Sequence, residues 1–432
     1  MCLRAYVTVH CLQQMPLREF GLEVFAHLLA LLILARAFGE AAERLGQPAS
    51  VGEIIAGVIL AGSAAWFGAS VPFIAQLASS DVLEPVANLG IFFLVLLAGI
   101  ETEPKEIAES SATSFAVASG GMLLPLLSGF GLAWLFLPES GVRPAQALLT
   151  GVALSISAIP ATVKVLTDLD LLHTRIGEIT VSAAVFDDVL GLLLLAVLLA
   201  MIETGHAPSM AALALLLGKV ALFFVITAVL GAHVYPRVSR GLKAMQAAAL
   251  EFTALAGVGL AYGLLAELLG MHWILGAFMA GLYFERSRVG MRAYNEIKLI
   301  CVTITKGFLG PLFFISIGLR VDLSAISAIP LFLSLLVAVA FAGKIIGAGL
   351  PALWMGLNRW EAMAVGAGMS ARGAVELVVL SIAYEAGLFA QGNQNHSIVA
   401  HLFSSLILIG VVTTLLAPIF LRYALRRIQG PP

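Results

Sequence analysis

Asp187 and Asp188 stand side by side in Ala183-Ala184-Val185-Phe186-Asp187-Asp188-Val189-Leu190-Gly191-Leu192, a run otherwise apolar enough to cross a bilayer. One ionised carboxylate at membrane depth costs about 2.5 kcal/mol or more, so two in succession imply a use. The use that fits is a proton or cation site, because a desolvated carboxyl can hold a proton or exchange it for a cation. Lys344 supplies the complementary charge. Counted at 1.5 Å per residue, Asp188 lies about 15 Å and Lys344 about 22 Å into their apolar stretches, both near the bilayer centre. Pairing the lysine with a carboxylate is the cheapest arrangement for both.

Two further stretches read as interrupted helices. The first is Ser155-Ile156-Ser157-Ala158-Ile159-Pro160-Ala161-Thr162, where proline removes a backbone donor and frees a carbonyl near residue 156. Freed carbonyls and the Ser155 and Ser157 hydroxyls are hard oxygen ligands, which with a carboxylate suit Na⁺, Li⁺ or K⁺ better than soft metals. The metal reading therefore rests on Asp188 and Ser157 holding a monovalent cation that is cargo, with no resident cofactor. The second stretch is Gly366-Ala367-Gly368-Met369-Ser370-Ala371-Arg372-Gly373. Arg372 and Glu376, four apart, read as an ion pair within one helix that offsets charge at the break.

The elements that must carry these groups follow from composition. The chain has 432 residues, is 60% hydrophobic and only 12% charged, far below the roughly 25% charged of a soluble domain. It is an all-α polytopic membrane protein. Stretches of about 20 apolar residues mark about thirteen spans. They fall within 22–101, 112–203, 210–236, 247–320 and 329–424, with a tail at 1–21 outside and one at 425–432 in the cytoplasm. With the N-terminus outside, sixteen of the 24 Lys and Arg fall on the cytoplasmic side, four outside and four within spans, as the positive-inside rule requires. A bacterial inner membrane is the expected location. Pairing each span with the one seven further on reverses its orientation, which makes two inverted six-helix repeats around span 7. The two interrupted helices then fall at matching positions, as in transporters whose site lies at the midplane. Residues 1–14 lack the features of a signal peptide and read as dispensable. Glu53, Glu178 and Glu251, close to span ends, read as surface groups, and Lys219 and Lys306 as snorkelling side chains.

Other classes fit less well. A net charge of −2 gives no reason to expect nucleic acid. Cys2, Cys11 and Cys301 are scattered, without metal-ligand spacing. An intramembrane aspartyl protease needs carboxylates facing each other from two helices, whereas neighbours on one helix point about 100° apart. A channel would have a lysine beside its carboxylates repelling the permeating cations.

Taken with Leu45-Gly46-Gln47-Pro48, Val51-Gly52-Glu53-Ile54-Ile55-Ala56-Gly57-Val58, Asn88-Leu89-Gly90-Ile91-Phe92-Phe93-Leu94, Gly343-Lys344 and Ala371-Arg372-Gly373-Ala374-Val375-Glu376-Leu377, the Asp pair resembles the second monovalent cation/proton antiporter family, of the thirteen-span sodium/proton type. The resemblance covers nearly the whole chain. It implies crossed discontinuous helices, a moving core of 112–203 and 329–424, a scaffold that dimerises through 22–101 and 247–320, and a linker at 210–236. It also implies that Asp188 is the main ion and proton carrier, that Asp187 partners Lys344, and that exchange is electrogenic. Where relatives often show threonines this chain has Ser155-Ile156-Ser157 and Pro160, which leaves a potassium/proton antiporter as the alternative. No nucleotide-binding module is read after residue 424, so a ligand-gated potassium efflux system is the poorer expectation.

Overall fold

The computed structural model describes residues 17–67, 76, 83–102, 112–157, 166, 174–204, 210–242, 250–269, 271–390 and 395–429. Residues 1–16, Pro160 and the side chain of Asp188 lie outside the described set. Every regular element in the set is helical, the outcome expected where no water is present to satisfy backbone amides and carbonyls. In chain order the helices are α1 (Leu17–Arg44), α2 (Ala49–Phe67), α3 (Leu83–Glu101), α4 (Ala112–Phe136), α5 (Arg143–Ser155), α6 (Arg175–Thr204), α7 (Met210–Leu242), α8 (Leu250–Leu268), α9 (Ile274–Leu282), α10 (Met291–Leu319), α11 (Pro330–Trp354), α12 (Arg359–Gly368), α13 (Ala374–Glu385) and α14 (Leu402–Gln429). Seven of the described helices are individually long and apolar enough to span a membrane. α5, α12 and α13 are too short to do so alone.

Several helices outrun their apolar stretches. α10 begins at Met291, not near 299, and α14 continues through Arg426 and Arg427 to Gln429, into the stretch read as a tail. A helix needs no apolar residues once it leaves the hydrocarbon, so hydropathy marks the immersed part and misses the rest. Inside α10, Thr305–Leu309 forms a π turn.

Packing gathers the helices into two sets. α4 packs against α5, α6 and α11, and α12 against α11 and α14; elsewhere α3 packs on α9, and α10 on α1, α2 and α3. Close approach depends on missing side chains. A Cβ at Gly120 of α4 would overlap the Gly347 carbonyl of α11, and one at Gly347 would overlap that of Gly120. Contacts between small residues of this kind substitute for the hydrophobic driving force that lipid does not supply.

The helix ends near the site are set locally. Pro144 opens α5, where its missing amide costs nothing. The helix stops at Ser155 as Ile156 turns extended, at φ −71° and ψ 138°. α12 starts on a capping box, with Asn358 accepting from the Trp360 and Glu361 amides while Glu361 accepts from the Asn358 amide. Residues 369–373 leave the helical path before α13 resumes at Ala374.

Candidate functional site

Asp187 sits midway along α6 and is 1% exposed. Gly191, one turn on, lets α6 approach the end of α5, where a Cβ would meet Ile156 Cγ1 at 3.2 Å. One carboxylate oxygen of Asp187, Oδ2, accepts from Ser157 Oγ at 2.5 Å and from Lys344 Nζ at 2.7 Å. Both members of this ion pair are fully buried. The other oxygen, Oδ1, is buried and has no hydrogen-bond partner among the described residues, which leaves it open there to a proton or a cation. Lys344 reaches the carboxylate from α11, whose Gly343 is seated on Pro125 of α4, with room for a Cβ only at 3.2 Å from the proline Cα.

The end of α5 is closed from the other interrupted helix. Arg372 Nη1 donates to the carbonyls of Ala153 and, at 3.0 Å, Ile156; Nη2 donates to Leu154 at 2.5 Å. A guanidinium thus occupies the carbonyl end of a helix, where a positive charge meets the negative end of the helix dipole. The Arg372 segment is itself tied to α14: its amide donates to Thr414 Oγ1 at 3.0 Å, and that hydroxyl donates back to the Arg372 carbonyl at 2.9 Å. Ser370 Oγ donates to the Gly366 carbonyl at 2.8 Å and Ser155 Oγ to that of Val152 at 2.8 Å. The two interruptions therefore meet, and Ser157 is presented where the α5 break faces Asp187. Chemically the assembly is a buried carboxylate with one spent and one open oxygen, a hydroxyl and an ammonium. Among the described residues, no group of three or more His, Cys, Asp or Glu could hold a resident metal ion.

The sodium/hydrogen exchanger profile, described as a transmembrane domain, matches residues 28–427. The chain belongs to the sodium/hydrogen exchanger family. Its relatives include GerT of Bacillus cereus, named a probable Na⁺/H⁺ antiporter, which is 29% identical over 85% of this chain and 93% of that one. GerN of the same organism, named a Na⁺/H⁺-K⁺ antiporter, is 28% identical over 93% and 96%. A solved structure of the sodium proton antiporter MjNhaP1 from Methanocaldococcus jannaschii superposes with a TM-score of 0.71 at 19% identity, covering 93% of this exchanger and 98% of that chain. The fold is thus that of a known antiporter. The relatives are transporters, not enzymes.

Within this exchanger, Asp187, Ser157 and Lys344 touch, and Ser155 and Arg372 organise the adjacent break. Two readings are corrected. Arg372 and Glu376 do not form the intrahelical pair that their spacing suggests, because the chain around Arg372 is not helical and its guanidinium turns to the α5 carbonyls. Glu376 is buried, and among the described residues neither of its oxygens has a hydrogen-bond partner. Glu53, read as a surface group from its closeness to a span end, is 2% exposed and meets Arg36 of α1 at 3.4 Å. Sequence gives the depth of a residue but not the side of the helix it faces. Arg36 also donates to the Lys306 carbonyl at 3.4 Å, at the π turn. No sequence signal pointed to Thr414, because the pair Thr413-Thr414 on an apolar helix is not distinguished by type from filler.

Proposed function

We propose that this chain is a secondary antiporter that exchanges a monovalent cation, Na⁺ or Li⁺, for protons, electrogenically and by alternating access. Asp188 is the principal carrier of the cation or proton. Asp187 and Ser157 complete the oxygen donors, and Lys344 is the counter-charge that holds Asp187 until a cation or proton replaces it. Ser155, Pro160, Arg372 and Glu376 support the helix breaks. In this reading 112–203 and 329–424 form the moving core, 22–101 and 247–320 the dimerising scaffold and 210–236 the linker. The N-terminus lies outside and the C-terminus in the cytoplasm of a bacterial plasma membrane.

The observation that carries the reading is the fully buried Asp187–Lys344 pair beside an open carboxylate oxygen. A pair so placed is stable only while both charges are present. Anything that neutralises the carboxylate must also displace the lysine, so occupancy of the site and its local structure are coupled. Hard oxygen donors favour Na⁺ or Li⁺. K⁺/H⁺ exchange is the second reading, supported by the K⁺ in the name of the 28% identical GerN.

The test is cation-driven proton movement in proteoliposomes with Na⁺, Li⁺ and K⁺ in turn. Membrane potential is either clamped at zero or left free; for the K⁺ arm, a lipophilic cation replaces potassium and valinomycin as the clamp. Faster transport under clamp with Na⁺ or Li⁺ is expected. Indifference to the clamp would mean electroneutral exchange, and a response to K⁺ alone would overturn the cation assignment.

A further inference from the structure

The end of α5 brings carbonyl oxygens to the border of the site, and the one near residue 156 is a cation ligand on sequence grounds. In the fold a side chain takes it instead. The Val152 carbonyl receives the Ile156 amide at 3.2 Å, while the carbonyls of Ala153, Leu154 and Ile156 all accept from the Arg372 guanidinium. Arg372 is 3% exposed, and its backbone is held on α14 by the paired bonds with Thr414. A guanidinium is planar, always charged and offers five donors in a fixed fork, so it can cap several carbonyls at once where a lysine ammonium is a point charge. Ile156 immediately precedes Ser157, whose hydroxyl donates to Asp187 Oδ2 at 2.5 Å. The capped oxygens are therefore neighbours of the oxygens that would take the ion.

A carbonyl oxygen that already accepts from a guanidinium has less to offer a second cation, and the two positive charges repel across a desolvated gap. A transported ion is thereby kept off these carbonyls and left with carboxylate oxygens and the Ser157 hydroxyl. Several carbonyl dipoles together are the ligand set that replaces the hydration shell of K⁺ in channel filters. Fewer oxygens carrying full charge suit a smaller ion, whose closer approach gains more Coulomb energy. We propose that Arg372 is a specificity-determining residue of the exchanger: a resident cation at the end of α5 that denies the Ala153, Leu154 and Ile156 carbonyls to the transported ion and so favours Na⁺ or Li⁺ over K⁺. It touches no transported ion and acts by positioning. The inference rests on the Na⁺ or Li⁺ reading above and names the group that sets that preference.

The experiment measures ²²Na⁺ bound to detergent-purified protein and its displacement by unlabelled Na⁺, Li⁺ or K⁺. The readout is the half-displacing concentration of K⁺ divided by that of Na⁺. Wild type should give a ratio well above unity. Arg372→Gln, which removes the charge and most of the donors, should lower it by about tenfold, the change brought by one additional contact between an ion and a dipole. Arg372→Lys, which keeps the charge at one point, should fall between the two. An arginine with only a structural role would weaken binding of all three ions together and leave the ratio where it was. A wild-type ratio at or below unity would sink the Na⁺ or Li⁺ reading itself. A wild-type ratio above unity that Arg372→Gln does not change would leave that reading standing and overturn the role of Arg372. Should Arg372→Gln fail to assemble or to bind ²²Na⁺, infrared difference spectra of wild type carrying arginine ¹³C-labelled at the guanidinium carbon decide. Na⁺ should alter carboxylate bands and leave the guanidinium bands in place, and a guanidinium band that shifts as Na⁺ binds overturns the proposal.

Discussion

Asp187 and Glu53 are both acidic groups on membrane helices with a basic partner, yet their surroundings differ. Glu53 meets Arg36 once, at 3.4 Å, and the Arg36 side chain is 44% exposed. Asp187 meets Lys344 at 2.7 Å and Ser157 at 2.5 Å, and neither end of the ion pair reaches solvent. An ion pair with one end in water can lose a member gradually, because the exposed cation finds other partners. A fully desolvated pair has no such exit. The first arrangement pins helices α1 and α2 together, with Arg36 reaching on to the carbonyl of Lys306. The second concentrates the cost of disruption in one place, which is what a switch driven by ion binding requires.

The contrast can be broken or sharpened by measurement. The largest effect is expected at the carrier: Asp188→Asn should insert and fold yet lose cation-dependent proton movement in proteoliposomes, and transport near the wild-type rate would remove Asp188 from its assigned role. Next, Lys344→Ala leaves Asp187 buried and unpaired, at a cost of about 3–5 kcal/mol. Thermal denaturation in detergent should show that loss, and adding Asp187→Asn should recover much of it. Additive single effects in that double-mutant cycle would argue against direct coupling. Glu53→Gln should cost only about 1 kcal/mol, since the Arg36 it leaves behind is already 44% exposed; a loss as large as that of Lys344→Ala would erase the distinction between the two pairs.

The smallest effect lies outside the spans. The Asp322 side chain accepts hydrogen bonds from Ser324 and faces His401 Nε2 at 3.5 Å, and these contacts hold its carboxyl below the usual value, the Ser324 bonds foremost. A group whose folded value is lowered stabilises the fold above its unfolded value and loses that contribution as pH falls through the folded one. Asp322→Asn should therefore be slightly less stable than wild type at neutral pH, with the gap closing below about pH 4. A gap that persists into acid would show that the contribution is not electrostatic.

Much of this arrangement is legible in the residues themselves. The immersed helices follow from hydropathy, the pairing of Lys344 with a carboxylate from the cost of leaving either charge alone in an apolar run, and the break near Arg372 from its run of Gly, Ser and Ala. What cannot be read is rotation and long-range partnership. Glu53 lies near a span end on paper, yet it is turned inward. Arg372 is four residues from Glu376, but its donors go to carbonyls 216 to 219 residues away. A local pairing rule presumes a continuous helix, and the helix is interrupted where the rule was applied.

The π turn at Thr305–Leu309 gives α10 two characters. Each added residue advances a helix by about 100°, so a single wide turn re-aims everything beyond it. Before the turn the helix is mixed: Ala293, Tyr294, Ile297 and Cys301 are buried while Leu299 is 66% exposed. After it, every residue from Gly310 to Gly318 is buried. One continuous rod thus behaves as a spliced pair, with a C-terminal length enclosed by neighbours and an N-terminal length free on one side, joined without the loop that two separate helices would need. A thread cut at two pitches can engage two nuts at once, and α10 holds its neighbours in that manner.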